Sequence, residues 1–411
     1  MIAVTAQPVF ADEAIFTAID EHDYEKLLLL RKAEKGATEA QKLANAIVHS
    51  MLGDDARAEK ELRALEAGSR DSAIDARALR ALSGVMVRMG RYADTAKAMR
   101  HIREMDDSDG VTIDDQSYAF FNAMSPIPRM GVAVADTHDA EISRDKAGLP
   151  RIPISVNGVS DHAIFDTGAA FSTVTTTMAN KMNLRQLGAE VDVGGSTNAT
   201  VQSGIAIADR VRLGGAEFTN VPFIVVPDES MSFPEQQYFV TSVLGLPIIR
   251  SLGRIEWSKA ENEEHIRFGV TKARPTVETA NMITSGWEMV LLAHINQSKE
   301  RLRFFLDTGA VKSAFYSHAK DAAPSLMDGA ETGTRRVGGL GGVVEELETL
   351  VIPSYRIKID SAEIEAGPST MQLDDGSFRH GVIGQDTLQD FGDFIIDFGA
   401  MTLTPAAAQT D

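Results

Sequence analysis

Two short segments carry the residues best suited to chemistry: Phe165-Asp166-Thr167-Gly168-Ala169 and Leu306-Asp307-Thr308-Gly309-Ala310. In each, an apolar run leads into an aspartate followed by Thr-Gly-Ala, and the aspartates stand 141 positions apart. Amide hydrolysis at moderate pH needs an activated water and a proton for the departing amine. Two carboxyl groups about 3 Å apart cannot both ionise, so they share one proton. The charged member suits a general base and the protonated member a general acid. Such a pair titrates as a unit. One Asp-Thr-Gly alone says little, because Asp caps turns and Gly permits positive φ. Two copies inside a longer matching pattern say more.

The longer pattern is an internal repeat. Upstream of each aspartate lies a strand-like run with a polar turn, Ile154-Ser155-Val156-Asn157-Gly158 and Leu292-Ala293-His294-Ile295-Asn296-Gln297. Downstream come glycine-rich stretches, Val193-Gly194-Gly195 and Val337-Gly338-Gly339-Leu340-Gly341-Gly342. A hydrophobic-hydrophobic-Gly signal follows in each half, Val243-Leu244-Gly245 and Val382-Ile383-Gly384. Leu246 to Gly253 and Gln385 to Gly392 then close the pattern. Val, Ile, Phe and Thr cluster between turn residues in both halves, as in β-structure. Each hydrophobic-hydrophobic-Gly strand is expected to pass close to its aspartate loop and restrain it.

On these motifs the chain resembles two retropepsin-type lobes fused end to end, within the pepsin-like aspartic peptidases, over roughly residues 149 to 405. The resemblance implies a catalytic pair of Asp166 and Asp307, one from each lobe. It implies that Thr167 and Thr308 hydrogen-bond across a pseudo-two-fold, and that Gly168 and Gly309 leave room around the carboxylates. Val337 to Gly342 resembles a retroviral protease flap, which casts Gly338, Gly339, Leu340 and Gly341 as substrate-binding. Gly194 and Gly195 open the counterpart, Val193 through Thr200, which is more polar, with Ser196, Thr197, Asn198 and Thr200.

The implied activity is that of an aspartic endopeptidase. It would be a monomer, since both halves share one chain, with a peptide or protein substrate lying extended against the flap. It needs no metal or organic cofactor. The residue after each Asp-Thr-Gly is alanine, Ala169 and Ala310, which offers no hydroxyl to the carboxylate. The charged form therefore has one donor fewer, and an optimum of about pH 5 to 6.5 is expected. The alternative is a catalytically silent peptide-binding or regulatory protein using the same cleft.

Across 411 residues the net charge is −19, which argues against nucleic acid as a partner and for basic or neutral substrate segments. Hydrophobic content of 44% suffices for sizeable cores. No run of 18 apolar residues points to a membrane span. Cysteine is absent, which excludes disulfides, thiolate metal sites and cysteine nucleophiles. Val9-Phe10-Ala11 before Asp12 has the small-residue spacing of a signal-peptide cleavage site, although Met1 to Pro8 lacks a basic, apolar leader. With the resemblance, this favours a periplasmic or secreted protein, the alternative being a cytoplasmic one.

The elements that must position this chemistry follow from composition. Residues 12 to about 124 show helical periodicity in Ala, Leu, Glu, Lys and Arg. Gly53 and Gly90, 37 positions apart, interrupt successive helices. The spacing is close to the ~34-residue period of tetratricopeptide hairpins, which suggests a docking face for a partner or substrate; a plain helical bundle is the blander possibility. Tyr118-Ala119-Phe120-Phe121 reads as a last helix, and Ser125-Pro126-Ile127-Pro128 ends it. The expected architecture is an all-α helical-repeat domain (1–125) followed by a mainly β bilobal acid-protease fold, with lobes at 126–270 and 271–411. Met130 to Ala135 is expected to join the sheet between the lobes, and Trp257 and Trp287 to pack at sheet ends.

Other constellations fail. There is no His-Glu-x-x-His, no Gly-x-Ser-x-Gly, and no Gly-Lys-Ser/Thr after the glycines. Glu345, Glu346 and Glu348 read as a solvated face. His380 lies close to the second hydrophobic-hydrophobic-Gly motif, but a two-aspartate mechanism has no use for it.

Overall fold

The computed structural model describes residues 8–31, 36–69, 71–105, 110–134, 137–195, 200–233, 235, 237–260, 263–341, 344–372 and 378–406. The chain divides into two compact units. The first runs to Pro126 and includes Thr284–Trp287, and the second holds the rest.

The first unit is helical: α1 (Pro8–Asp20), α2 (Tyr24–Leu30), α3 (Glu39–Met51), α4 (Asp55–Gly68), α5 (Ser72–Arg88), α6 (Tyr92–Glu104) and α7 (Asp115–Met124). Sequence chemistry sets the boundaries. Thr38 forms a capping box with Gln41 at the start of α3, and the side chains of Asp71 and Asp114 cap α5 and α7. Gly53 and Gly90 take positive φ, +72° and +67°, where the chain turns between paired helices. Consecutive helices pack in order. Their apolar faces bury Leu43, Leu62, Leu79, Leu82 and Met99. Arg88 pairs with Asp55, and Arg91 with Glu59, each at 2.6 Å. Trp287 was expected at a sheet end; instead its ring packs on Phe121 of α7, with centroids 5.2 Å apart. Among the described residues no helix is long and apolar enough to cross a membrane.

The second unit is mainly β, with two large sheets. One contains Pro150–Val156, Val159–Phe165, Ser242–Leu244, Ser172–Thr175, Ala216–Val226, Thr200–Leu213 and Arg185–Gly194. The other contains Glu331–Gly338, Val344–Ile352, Ser369–Gln372, Ala314–Tyr316, Gly381–Ile383, Leu302–Leu306, Glu288–Ile295, Tyr355–Ile359 and Ala362–Ala366. The first sheet continues through His138–Arg144, Glu263–Gly269 and Arg254–Ala260 into two strands from the far end of the chain, Phe394–Asp397 and Thr402–Pro405. Residues of both halves are thus hydrogen-bonded side by side, with Ile255 opposite Ile396 and Trp257 opposite Phe394.

The strand at Gly131–Ala133 does not join this shared part. It pairs with Ala216–Val226, Val132 opposite Phe218, while Ala135 lies outside the described residues. His138–Arg144 takes the expected place because it buries alternate residues, Ala140 and Ile142, whereas Val132 is 49% exposed. Trp257 stands under the Asp166 strand. It stacks on Phe394 at 5.4 Å, meets Phe165 edge-on at 5.7 Å, and donates its indole N–H to Glu264 at 2.5 Å. Trp257→Ala removes this ring from beneath Phe165 and takes the indole donor from Glu264, which Arg144 still holds. The variant should lose about 3–5 kcal/mol of stability in urea unfolding, and a loss below about 1 kcal/mol would show that the ring does not brace the strand.

Candidate active site

Each aspartate is set by a pair of parallel strands. Val159–Phe165 runs beside Ser242–Leu244, with Phe165 opposite Leu244, and the Asp166 N–H donates to Leu244 O at 3.1 Å. Leu302–Leu306 runs beside Gly381–Ile383, with Leu306 opposite Ile383, and the Asp307 N–H donates to Ile383 O at 3.0 Å. Past each motif glycine the chain returns a bond to the aspartate loop. Leu246 N–H donates to Ala169 O, and Gln385 N–H to Ala310 O, both at 2.8 Å.

Two serines unread in the sequence complete the symmetry. Ser172 Oγ accepts from Gly245 N at 3.1 Å, and Ser313 Oγ from Gly384 N at 2.9 Å. Both are buried, and each follows its aspartate by six positions, a signal the repeat already contained.

The two loops cross-link through their threonines, which are almost wholly buried. Thr167 N–H donates to Thr308 Oγ1 at 2.9 Å, and Thr308 N–H to Thr167 Oγ1 at 3.0 Å. Each hydroxyl then donates across the axis, Thr167 to Leu306 O and Thr308 to Phe165 O, both at 2.7 Å. The glycines also cross. A Cβ on Gly168 would lie 2.5 Å from the Asp307 carboxyl carbon, and one on Gly309 would fall on the Asp166 carboxylate. Only glycine admits the opposite carboxylate this closely.

The two carboxyl groups lie close enough to interact directly. Oδ1 of Asp166 accepts from Gly168 N at 2.7 Å and Ala169 N at 3.1 Å, and Oδ1 of Asp307 from Gly309 N at 2.8 Å. Burial pushes both acids above the ordinary carboxylate range. Asp307 rises further, because the charge of Asp166 adds to the effect of burial. The pair is therefore suited to holding one shared proton through mildly acidic pH.

An asymmetric chain of bonds supports the second loop. Gln385, 2% exposed, donates Nε2–H to Thr308 O at 2.8 Å. Its Oε1 accepts from Arg144 at 2.6 Å, and Arg144 is held by Glu264 at 2.7 Å. Leu246 occupies the matching position in the first half, so the repeat gave no warning of this chain.

Both glycine-rich stretches lie at hairpin ends. Arg185–Gly194 pairs with Thr200–Leu213, Gly194 opposite Thr200, and Glu331–Gly338 pairs with Val344–Ile352, Gly338 opposite Val344. Gly195 approaches Leu340 so closely that a Cβ there would lie 2.7 Å from Leu340 Cβ. Gly339, Leu340 and Gly341 belong to the second tip, and Gly341 N–H donates to Ser230 O at 2.8 Å. Ser196, Thr197, Asn198 and Gly342 lie outside the described residues.

His380 is not part of this constellation. Its Nδ1 accepts from Arg303 N at 3.0 Å, its ring lies on His318, and burial lowers its pKa to about 3, which keeps it neutral. Glu346 and Glu348 are exposed. Among the described residues no cluster of His, Asp or Glu could hold a metal ion.

Residues 152–248 match a family model described as aspartyl protease, a stretch that contains Asp166 and Val243-Leu244-Gly245. Among solved structures the chain is similar to a retropepsin-like aspartic protease from Rickettsia conorii. The identity is 18%, covering 35% of this chain and 98% of that one, with a TM-score of 0.25. A comparison with curated proteins finds no match.

The raised pKa values carry a stability prediction. The unfolded chain releases these two protons more readily than the folded one, so the stabilisation they confer is complete below the unfolded pKa, about 3.9. It is lost as pH rises through the folded values. Asp307→Asn should therefore match the wild type in unfolding free energy near that pH and become progressively more stable than it towards neutrality. A wild type that gains on the variant with rising pH would contradict the assigned direction.

Proposed function

We propose that the protein is an aspartic endopeptidase in which Asp166 and Asp307 act on one water. The observation that carries the reading is the crossed threonine network, which holds two interacting, buried carboxyl groups with raised pKa values. The aspartyl protease match over 152–248 supports it independently.

The ionised carboxylate removes a proton from water as the water oxygen bonds to the scissile carbonyl carbon. The protonated carboxyl gives its proton to the carbonyl oxygen. The resulting gem-diol collapses as the C–N bond breaks. One carboxyl group protonates the departing amine and the other takes back a hydroxyl proton, so the pair ends with one shared proton, as it began. A peptide held extended beneath the paired hairpin tips would add as a strand, its main chain bonding to them. The roles of Gly194, Gly195, Gly338, Gly339, Leu340 and Gly341 in that binding belong to this proposal.

Both aspartates reside in one chain, so the proposed active form is a monomer. The helical unit is proposed to dock a partner or the substrate in the manner of tetratricopeptide-like repeats. A periplasmic or secreted setting is proposed from the resemblance together with the Val9-Phe10-Ala11 spacing.

The test is cleavage of a complex peptide mixture read by mass spectrometry from mildly acidic to neutral pH. Asp166→Asn and Asp307→Asn should each lower cleavage by about 10²–10⁴-fold or more, and the rate should scale linearly with enzyme concentration. Wild type indistinguishable from both variants at every pH would sink the peptidase reading in favour of a silent binder. The optimum is expected at about pH 5 to 6.5, because burial raises the pair and alanine follows each Asp-Thr-Gly. Ala169→Ser, which restores a hydroxyl donor, should move the optimum to lower pH; an unmoved profile would show that this position does not tune the pair.

A further inference from the structure

Among the described residues the second hairpin carries a cation with no partner, on the side turned towards the body of its lobe. Along Glu331–Gly338 exposure alternates: Gly333, Arg335 and Val337 are half-buried, while Thr334, Arg336 and Gly338 are exposed. Arg335 therefore lies on the covered face. Cross-strand register extends that face. Arg335 stands opposite Leu347 and Gly333 opposite Thr349. Thr349 in turn pairs with Gln372, and Gln372 with Tyr316. Side chains from the hairpin, from Ser369–Gln372 and from the strand that follows the Asp307 loop thus share one surface.

Among the described residues the guanidinium of Arg335 makes neither a hydrogen bond nor an ion pair. It is substantially desolvated, with Tyr316 and Asp386 within electrostatic reach. Asp386 is already engaged. Its Oδ1 accepts from Ser313 N at 2.8 Å, Ser313 Oγ at 2.7 Å and Thr387 N at 2.8 Å, and its Oδ2 faces Lys312 at 3.7 Å. Of the acidic residues on the hairpin, Glu346 and Glu348 are exposed on the opposite face; Glu331 and Glu345 share the strand face of Arg335, Glu331 being exposed at the far end of its strand. A second polar group on the covered face also lacks a partner: Thr349 Oγ1, in a side chain only 1% exposed. A desolvated cation and a buried hydroxyl without partners are each costly to maintain, and together they fit a ligand that accepts hydrogen bonds and carries negative charge.

We propose that Arg335, with Thr349 beside it, forms a subsite that selects an acidic side chain, Asp or Glu, at one fixed position of the bound peptide. The inference rests on the peptidase reading for the placement of the peptide: a strand added beneath this hairpin presents alternate side chains to the face that carries Arg335. The chain's net charge of −19 disfavours acidic peptides at long range. The subsite therefore singles out one acidic residue in a segment that is otherwise neutral or basic.

The experiment uses the full-length protein and a peptide library with acetylated and amidated ends, so that side chains supply every carboxylate; a matched set with free C-termini tests the terminal carboxylate as the alternative source. Wild type should cut most rapidly where Asp or Glu occupies one position relative to the scissile bond. In Arg335→Gln the ratio of kcat/KM for peptides acidic there to their Gln counterparts should fall about 10-fold or more. Most of the change should appear in KM. Arg335→Lys should recover part of the ratio, and Arg335→Glu should shift preference at that position to Lys or Arg.

Wild-type cleavage with no acidic preference, or a preference that survives in Arg335→Gln or requires a free C-terminus, overturns the subsite and leaves the peptidase reading standing. If wild type cuts nothing and matches Asp166→Asn, the peptidase reading is the one that fails. Direct binding of the acidic peptides then decides the subsite. Weaker binding by Arg335→Gln upholds it, and equal binding overturns it.

Discussion

Two buried carboxyl groups that face each other repel when both are charged, and everything around them depends on their being held together in spite of this. Thr167 and Thr308 supply the restraint. Their backbone N–H groups and hydroxyls exchange four hydrogen bonds across the axis, each from one loop to the other. A hydroxyl that both accepts and donates across the axis fixes the separation of the loops, which a single donor could not do. The raised pKa values are the electrostatic counterpart: the repulsion is relieved by keeping a proton in the pair.

The loops can be this rigid because what lies behind them is rigid. On one side are parallel strands whose motif glycines donate to Ser172 and Ser313, while the residues that follow them, Leu246 and Gln385, donate to the aspartate loops. Underneath is the shared sheet, in which strands from both halves of the chain lie edge to edge and Trp257 fills the space below Phe165. The two halves depart from symmetry where a purely repeated design would keep it. Glu264, Arg144 and Gln385 brace only the Thr308 side. The surroundings of the two loops therefore differ, although burial raises both acids.

Much of this was legible in the chain because the repeat reports it directly. The pair, the threonines, the glycines and the hydrophobic-hydrophobic-Gly strands are local motifs whose spacing survives in both halves, and the helical character of the N-terminal region shows in its periodicity. The features that were not legible depend on contacts between distant segments, as two of them show. The stretch from Val193 to Thr200 is more polar than Val337 to Gly342, yet Gly195 comes so near Leu340 that a Cβ there would lie 2.7 Å from it, a meeting of two segments that no local motif reports. The strand expected at Met130 to Ala135 pairs elsewhere, since several short apolar runs compete for a sheet edge and only the assembled register chooses between them.

The amino-acid sequence by itself determined which residue types stand in each aspartate loop and that they occur twice, because a carboxylate, a hydroxyl and a missing Cβ are properties of single residues. Tertiary structure alone decided what those residues meet. It brought Asp166 and Asp307 together from 141 positions apart, seated Gln385 under Thr308, and turned Arg335 inward and Arg336 outward on the same strand. The alternation along a strand says that neighbours face opposite ways but not which way is in. That choice belongs to the packing of the sheet against the rest of the lobe.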